Sequence, residues 1–176
     1  MEPQGPIHAL TLSGMSSAQR VLVVIATPAP LPAEVDRSRW PVHVTVAGNF
    51  RLDERDSAAV PHLLLTAARG IRPFEVALGP AARFGRDASI PVLLAPHPSL
   101  DAVHAALAES LSALPSFDPL EPQYWGEGYR PHASLGRTVG VADGDALPLT
   151  VLSLFALEAR AGLRLAQVEL GLTPDR

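Results

Sequence analysis

The sequence predicts one α+β domain built on a largely antiparallel sheet. Segments with the pattern of strands outnumber helical segments, and several of them follow each other without a helix between them. Each half of the chain also contains a histidine-bearing strand, one helix and flanking strands, which indicates a coarse duplication. A chain of 176 residues suits a single domain with a real core. We expect residues 20–176 to form it, after a lead segment at residues 1–19 that is either flexible or holds a short edge strand.

The strands are predicted from the pattern of apolar residues. An uninterrupted apolar run at residues 21–26 predicts a buried central strand, which prolines end. Shorter apolar or alternating segments, separated by glycine, proline and polar residues, predict the others. The other predicted strands are residues 41–47, 74–78, 90–94, 131–136, 151–159 and 163–170. Gly48-Asn49 ends the first of them, residues 79–87 connect the second to the third, and a turn at Ala161-Gly162 joins the last two.

Two helices are predicted between these strands. Residues 53–69 predict the first, with acidic or serine caps, Pro61 in its first turn or at its true start, and a stop at Gly70. Residues 99–114 predict the second, with Ser99 as the N-cap and a leucine and valine stripe at helical spacing. The second helix therefore has an apolar face that can pack on the sheet.

Two short segments share the pattern that we expect to carry the function. The first reads PVHVTVA and the second PHASLG, each with a histidine and a hydroxyl residue two places later. Side chains alternate faces along a strand, so His43 and Thr45 share one face. The same holds for His132 and Ser134. If the two strands lie side by side, two imidazoles face each other across a cleft, which suits acid–base chemistry on a phosphodiester.

A third match to the same spacing lacks this context. In His97-Pro98-Ser99 a proline occupies the position that should face the core, and the serine fits a helix N-cap. The histidines outside the two motifs show no shared metal-ligand spacing. We interpret them as non-catalytic; they are His8, His62, His97 and His104.

Arginine and aromatic residues near the motifs are candidates for substrate contact. Arg130 shares the face of His132 if the strand stays regular, whereas Arg137 does not. Aromatic side chains can stack on a nucleobase, although they also pack ordinary loops. The aromatic candidates are Tyr129, Tyr124, Trp125 and Phe50.

Composition limits the partners. A formal net charge of −4 does not suit a strongly basic nucleic-acid binder, so a short nucleotide or RNA terminus is a better substrate than a DNA duplex. The absence of cysteine excludes disulfides, thiol catalysis and cysteine metal sites. No apolar run is long enough for a membrane span, and no signal-peptide pattern opens the chain. We therefore expect a cytoplasmic monomer that does not bind membranes.

The paired motifs resemble those of the 2H phosphoesterase superfamily, which includes the 2′-5′ RNA ligase-like proteins and RNA 2′,3′-cyclic phosphodiesterases. The run PHASLGR at residues 131–137 is especially similar, as is the order of strands and helices over residues 20–170. The resemblance implies a bilobal α+β domain with two largely antiparallel sheets related by a pseudo-twofold axis. It implies helices on the outside, one histidine motif per lobe, and no metal or other cofactor.

Carried onto this sequence, the resemblance implies that His43 and His132 are the acid–base pair. Thr45 and Ser134 would then hydrogen-bond the phosphate, and Arg137 matches the family pattern. The expected activity is cleavage of a 2′,3′-cyclic phosphate or a 2′-5′ phosphodiester, with either histidine as the acid. Two alternatives remain open at this level: a non-catalytic nucleotide- or protein-binding module on the same fold, and a histidine-based metal hydrolase.

Overall fold

A long antiparallel sheet dominates the computed structural model, which describes residues 18–85, 87–135 and 140–171. Within these residues nine strands form the main sheet, in the order β2-β11-β10-β1-β3-β8-β6-β5 with β7 beside β3, and β4 pairs with β9 in a second sheet. The strands are β1 (Gln19–Thr27), β2 (Glu34–Asp36), β3 (Val44–Asp53), β4 (Phe74–Ala77), β5 (Ala81–Phe84), β6 (Ile90–Leu94), β7 (Asp118–Pro119), β8 (His132–Ser134), β9 (Ala146–Leu149), β10 (Val151–Leu157) and β11 (Ala161–Glu169). The α+β class with mostly antiparallel strands is confirmed.

The two faces of the main sheet carry apolar clusters of different size. On β1, Leu22, Val24 and Ala26 are buried in the large core beneath the helices. Val23 and Ile25 point to the opposite face, where they form a smaller apolar cluster with Phe155 of β10. Alternation along a strand produces this division, and it leaves the second face open for a cleft.

In the described parts of the chain three α-helices follow or cover the sheet: α1 (Glu54–Ser57), α2 (Val60–Ala68) and α3 (Pro98–Ser112). The predicted first helix is therefore interrupted before Pro61, which lies in the first turn of α2. Asp53 caps α1 by accepting a hydrogen bond from the Asp56 amide. The predicted Ser99 cap of α3 is wrong, because His97 is the N-cap and its Nδ1 accepts from the Ser99 amide.

Several boundaries differ from the sequence prediction. The strand after His43 does not end at Gly48-Asn49 but continues as β3 to Asp53. Residues 79–87 contain β5, and residues 146–149 form β9. Gly162 lies within β11 opposite Leu157 instead of forming the turn. It is a glycine for a packing reason, since a Cβ there would lie 2.8 Å from the Trp40 ring.

The central feature for function is the pairing of β3 with β8. This pairing joins the strands of the two predicted lobes into one continuous sheet, with the β4–β9 pair beside it. The pseudo-twofold relation between the halves stays a prediction. So does the domain boundary, since residues 1–17 lie outside the described residues and Gln19 already belongs to β1.

Candidate active site

The two histidine motifs lie on neighbouring strands at the centre of the sheet. Val44 of β3 pairs with Ala133 of β8 in an antiparallel register, and both are fully buried beneath the sheet. The residues that flank this pair point to the opposite face. The register therefore sets His43 beside Ser134, and Thr45 beside His132, so that each histidine has the hydroxyl residue of the other motif as its neighbour.

Both imidazoles are held in the same way. Nδ1 of His43 donates to the Pro41 carbonyl at 2.8 Å, and Nδ1 of His132 donates to the Arg130 carbonyl at 2.7 Å. Because a carbonyl oxygen can only accept, each Nδ1 must carry the proton. Within the described parts of the chain no hydrogen bond reaches Nε2 of either ring. Each Nε2 is thus free to take a proton when the ring is neutral and to give one when it is charged.

The surroundings lower the pKa of both histidines. For His43 burial lowers the pKa most, the Pro41 carbonyl opposes this, and the positive charge of His132 lowers it further. For His132 burial again lowers the pKa most, the Arg130 carbonyl raises it, and two side chains act in opposite directions. The Arg130 guanidinium lowers this pKa and the Glu121 carboxylate raises it. The charge of His132 therefore acts on His43, while His132 has charged neighbours of its own.

A hollow of about 200 Å³ lies on the His132 side of β3, and we call it the Phe84 hollow. Phe84 packs against His132 with ring centroids 4.4 Å apart, and the Arg130 guanidinium lies 5.2 Å from the centre of the same ring. Tyr124 lies parallel to Phe84, with centroids 5.8 Å apart. The hollow is lined by Thr45, Gly48, Asn49, Phe84, Gly85, Ile90, Glu121, Tyr124, Tyr129, Arg130, His132 and Ser134.

A second hollow of about 150 Å³ lies on the His43 side, and we call it the Trp40 hollow. Its floor comes from β1 and β10, and the Trp40 ring stands beside His43 with centroids 5.5 Å apart. Thr45 and Asn49 of β3 line both hollows and form the boundary between them. The lining residues are Val23, Ile25, Arg37, Trp40, His43, Thr45, Asn49 and Leu157.

A third histidine supports the site without lining either hollow. His104 of α3 is 2% exposed; its Nδ1 donates to the Val46 carbonyl at 2.8 Å and its Nε2 accepts from the Gly126 amide at 3.0 Å. Its ring stacks on Tyr129 at 3.8 Å, and the Tyr129 hydroxyl donates to the Thr45 carbonyl at 3.0 Å. Both ring nitrogens are used, which fixes His104 as neutral. It joins β3 to the loop that covers the Phe84 hollow.

Two of the predicted substrate residues, Phe50 and Trp125, line neither hollow. Phe50 is fully buried in the core beneath the sheet and cannot meet a ligand. Trp125 packs edge-on against Phe50 and against Phe117, at 5.7 and 5.1 Å, because the loop turns this side chain toward the core. Tyr129 lines the Phe84 hollow, but one face of its ring is covered by His104. Arg137 lies outside the described residues.

The sequence interpretation also missed residues that line the site. Phe84 and Glu121 come from a distant hairpin and loop, and Arg37 and Trp40 from the segment before the first motif. Glu121 is a carboxylate near His132 in space although none is near it in sequence. Of the residues named in this section, His104 could have been found from the sequence. It falls on the apolar stripe of its helix, and that position predicts a buried histidine.

Within the described residues no group of three or more histidine, cysteine, aspartate or glutamate side chains is placed to hold a metal ion. The helices in the same parts of the chain are also too short or too polar to cross a membrane.

Comparison with known proteins supports the fold and the family. The family model described as the 2′-5′ RNA ligase superfamily matches residues 18–170. A crystal structure described as a phosphoesterase matches with a TM-score of 0.56 and 17% identity, over 88% of this chain and 100% of that one. Escherichia coli LigT in complex with 3′-AMP matches with a TM-score of 0.54 and 17% identity, over 88% and 100%.

A protein of Thermus thermophilus is similar to the same extent. It matches with a TM-score of 0.52 and 16% identity, over 85% of this chain and 97% of that one. At these identities the solved structures show a shared fold. No curated protein matches the sequence.

Proposed function

Because the chain belongs to the 2′-5′ RNA ligase superfamily, we propose that it is a metal-independent phosphodiesterase that uses His43 and His132 as its acid–base pair. Membership supports chemistry on phosphodiesters in general. The substrate that we propose is a 2′,3′-cyclic phosphate or a 2′-5′ phosphodiester of RNA or of a small nucleotide. LigT was crystallised with 3′-AMP, ATP and NADP+, which supports a nucleotide as the ligand of this fold.

One observation carries the proposal: the matched hydrogen bonds that fix both imidazoles on adjacent strands. Each Nδ1 donates to the carbonyl two residues earlier, so each Nε2 is the nitrogen that meets the substrate. A phosphate at the boundary of the two hollows would lie between them. Histidine suits proton transfer here, since its reference pKa of about 6.5 is close to the working pH.

The reaction needs one neutral and one charged histidine. The neutral Nε2 takes a proton from the attacking water, whose oxygen forms a bond to phosphorus. The bond from phosphorus to the leaving ribose oxygen breaks, and that oxygen takes the proton of the other Nε2. In this proposal Thr45, Ser134 and Arg130 stabilise the negative charge on the non-bridging oxygens, which is supported by their lining the Phe84 hollow. The products are a phosphate monoester and a free ribose hydroxyl, and reversal of these steps would be ligation.

The test is turnover of a nucleotide panel by the purified chain in excess EDTA. The panel contains the four nucleoside 2′,3′-cyclic phosphates, 2′-5′-linked diadenosine monophosphate and its 3′-5′ isomer, with products separated by chromatography. We expect cleavage of a cyclic phosphate or a 2′-5′ linkage that chelation does not reduce. Turnover that EDTA abolishes and a divalent ion restores would favour the metal hydrolase, and tight nucleotide binding without turnover would favour the binding module.

A further inference from the structure

We propose that the Trp40 hollow is a second nucleotide-binding subsite and that Arg37 contacts a phosphate of the bound strand. The preferred substrate would then have a nucleoside on each side of the reacting phosphate, one in each hollow. This inference rests on the proposed function, because it places the reacting phosphate between the two histidines.

The positions of the hollows are the first argument. The Phe84 hollow lies over β3, β8, β6 and the end of β5, whereas the Trp40 hollow lies over β3, β1 and β10. They therefore lie side by side across one face of the sheet and meet at Thr45 and Asn49. Each contains one of the two histidines. A phosphate that reaches both Nε2 atoms has one hollow on either side of it.

The sizes of the hollows are the second argument. Volumes of about 200 and 150 Å³ are each below the roughly 300–1,000 Å³ of a typical small-molecule site, and the two together reach the lower end of that range. A ligand that filled a pocket of ordinary size here would have to occupy both. A cyclic mononucleotide with its phosphate at the boundary would leave one hollow to water.

The chemistry of the Trp40 hollow fits a nucleoside. The buried Val23 and Ile25 lie beneath it together with the half-buried Leu157, and the half-buried Trp40 ring forms a wall. That ring is fixed by edge-on packing against Phe155 at 5.1 Å and by the absence of a side chain at Gly162. Aromatic side chains are the usual surfaces for unpaired bases. A rigid indole at this place is therefore suited to stacking.

The charge of the Trp40 hollow fits an anion. Arg37 is the cationic lining residue, and no carboxylate lies among the lining residues described. Its Nη1 donates to the Glu158 carbonyl at 2.7 Å and its amide donates to the Arg160 carbonyl at 3.0 Å. One edge of the guanidinium is thus anchored by the β10–β11 turn, and the remaining donors can meet a phosphate.

The experiment compares two substrates on the same proteins. The measured quantity is the ratio of kcat/KM for 5′-phosphorylated 2′-5′-linked diadenosine monophosphate to kcat/KM for adenosine 2′,3′-cyclic phosphate. The variants are Arg37→Gln, which removes the cation, and Leu157→Trp, which fills the hollow. The matched control is Arg39→Gln, since Arg39 is exposed in the same turn and lines neither hollow.

We expect the ratio to fall about 10-fold or more in Arg37→Gln and Leu157→Trp, because one lost charge-assisted hydrogen bond is already worth that much. The control should keep the parent ratio. Arg37 is exposed, so Arg37→Gln should fold even if Leu157→Trp does not. An unchanged ratio in Arg37→Gln, or turnover of the cyclic nucleotide with none of the dinucleotide, would overturn this inference and leave the proposed function standing. Turnover of neither substrate would overturn both.

Discussion

His43 and His132 are held by the same backbone device but lie among different side chains. Each ring is oriented by a carbonyl two residues earlier, and each has an aromatic neighbour, Trp40 for the first and Phe84 for the second. Among the described lining residues, the Trp40 hollow has Arg37 and no carboxylate, whereas the Phe84 hollow contains the opposite charges of Arg130 and Glu121.

The direction in which each imidazole points and the strength with which it holds its proton have different origins. The strand and its carbonyl determine the tautomer and the direction of Nε2, and both halves have this geometry. Side chains from other segments determine how tightly the ring holds its proton, and these differ. Glu121 favours the charged form of His132, while no carboxylate is a cause of the shifted pKa of His43. These unlike surroundings would help two similar strands to supply the acid and the base that the proposed mechanism needs.

The largest expected effect tests whether both halves are needed. His43→Ala and His132→Ala should each lower kcat about 10²–10⁴-fold, which is the usual contribution of a general acid or base. The double variant should lose less than the product of the two, because both groups act in one step. His62→Ala is the control, since His62 is exposed on α2. Wild-type turnover in either single variant would contradict the paired mechanism.

The hydroxyl residues should show a smaller effect of the same kind in both halves. Thr45→Val and Ser134→Ala each remove one hydrogen bond to developing charge, a contact worth about 1.5–3 kcal/mol. We expect kcat to fall about 10–100-fold, with binding of a nucleotide monophosphate nearly unchanged. Single-turnover rates and equilibrium titration on the same proteins measure the two quantities. Loss of binding with an unchanged rate would instead make these residues simple ligand contacts.

His104 joins the two halves, and its removal should affect stability. His104→Leu leaves the Val46 carbonyl and the Gly126 amide without partners, which costs about 1–3 kcal/mol of unfolding free energy. His104→Asn and His104→Gln can each retain one of the two bonds and should cost less. Urea unfolding at neutral pH measures all three.

The pH dependence of the same measurement is a further check. Burial lowers the pKa of His104 below its unfolded value of about 6.5, so its contribution is present above that pH. As the pH falls below about 6.5 the unfolded chain takes up a proton that the folded chain resists, and the contribution is lost. The gap between parent and His104→Leu should therefore narrow from about pH 7.5 to about pH 5. A constant gap would show that His104 is not held neutral.

The centre of this structure could be predicted from the sequence, because hydrophobic alternation is a local property. The buried strand β1 and the shared faces of His43 with Thr45 needed only the order of residues. The rule did not reach Phe50, because the strand was predicted to end at Gly48-Asn49 whereas β3 continues to Asp53. Two register shifts against β1 interrupt the alternation between Thr45 and Phe50, so counting along the sequence alone would not have placed Phe50 on the core face.

The remaining parts depend on contacts that the local pattern does not contain. Strand β5 reads AARF and β9 reads ALPL, and neither has enough alternation to indicate a strand before its partner is known. Phe84 reaches His132 only because β5 pairs with β6 and β6 with β8. Glu121 likewise approaches through the loop that His104 holds. Such neighbours follow from tertiary pairing, which a single sequence does not show.

The last prediction uses Glu121, the carboxylate among the described lining residues of the Phe84 hollow, to find which histidine has the higher pKa. Both histidines have a lowered pKa, so the bell-shaped profile of kcat/KM should reach its maximum below about pH 6.5. Glu121 raises the pKa of His132, so Glu121→Gln should move the limb that belongs to His132 to lower pH. The other limb should move less, because Glu121 is not among the groups that shift the pKa of His43.

Glu127→Gln is the control, because Glu127 is an exposed residue of the same loop and lines neither hollow. If the alkaline limb moves, His132 has the higher pKa of the pair and is the histidine that is charged more often; if the acidic limb moves, it has the lower pKa. Identical profiles for parent and Glu121→Gln would mean that the charges of the Phe84 hollow do not distinguish the two histidines, and their different roles would then have to come from the position of the substrate.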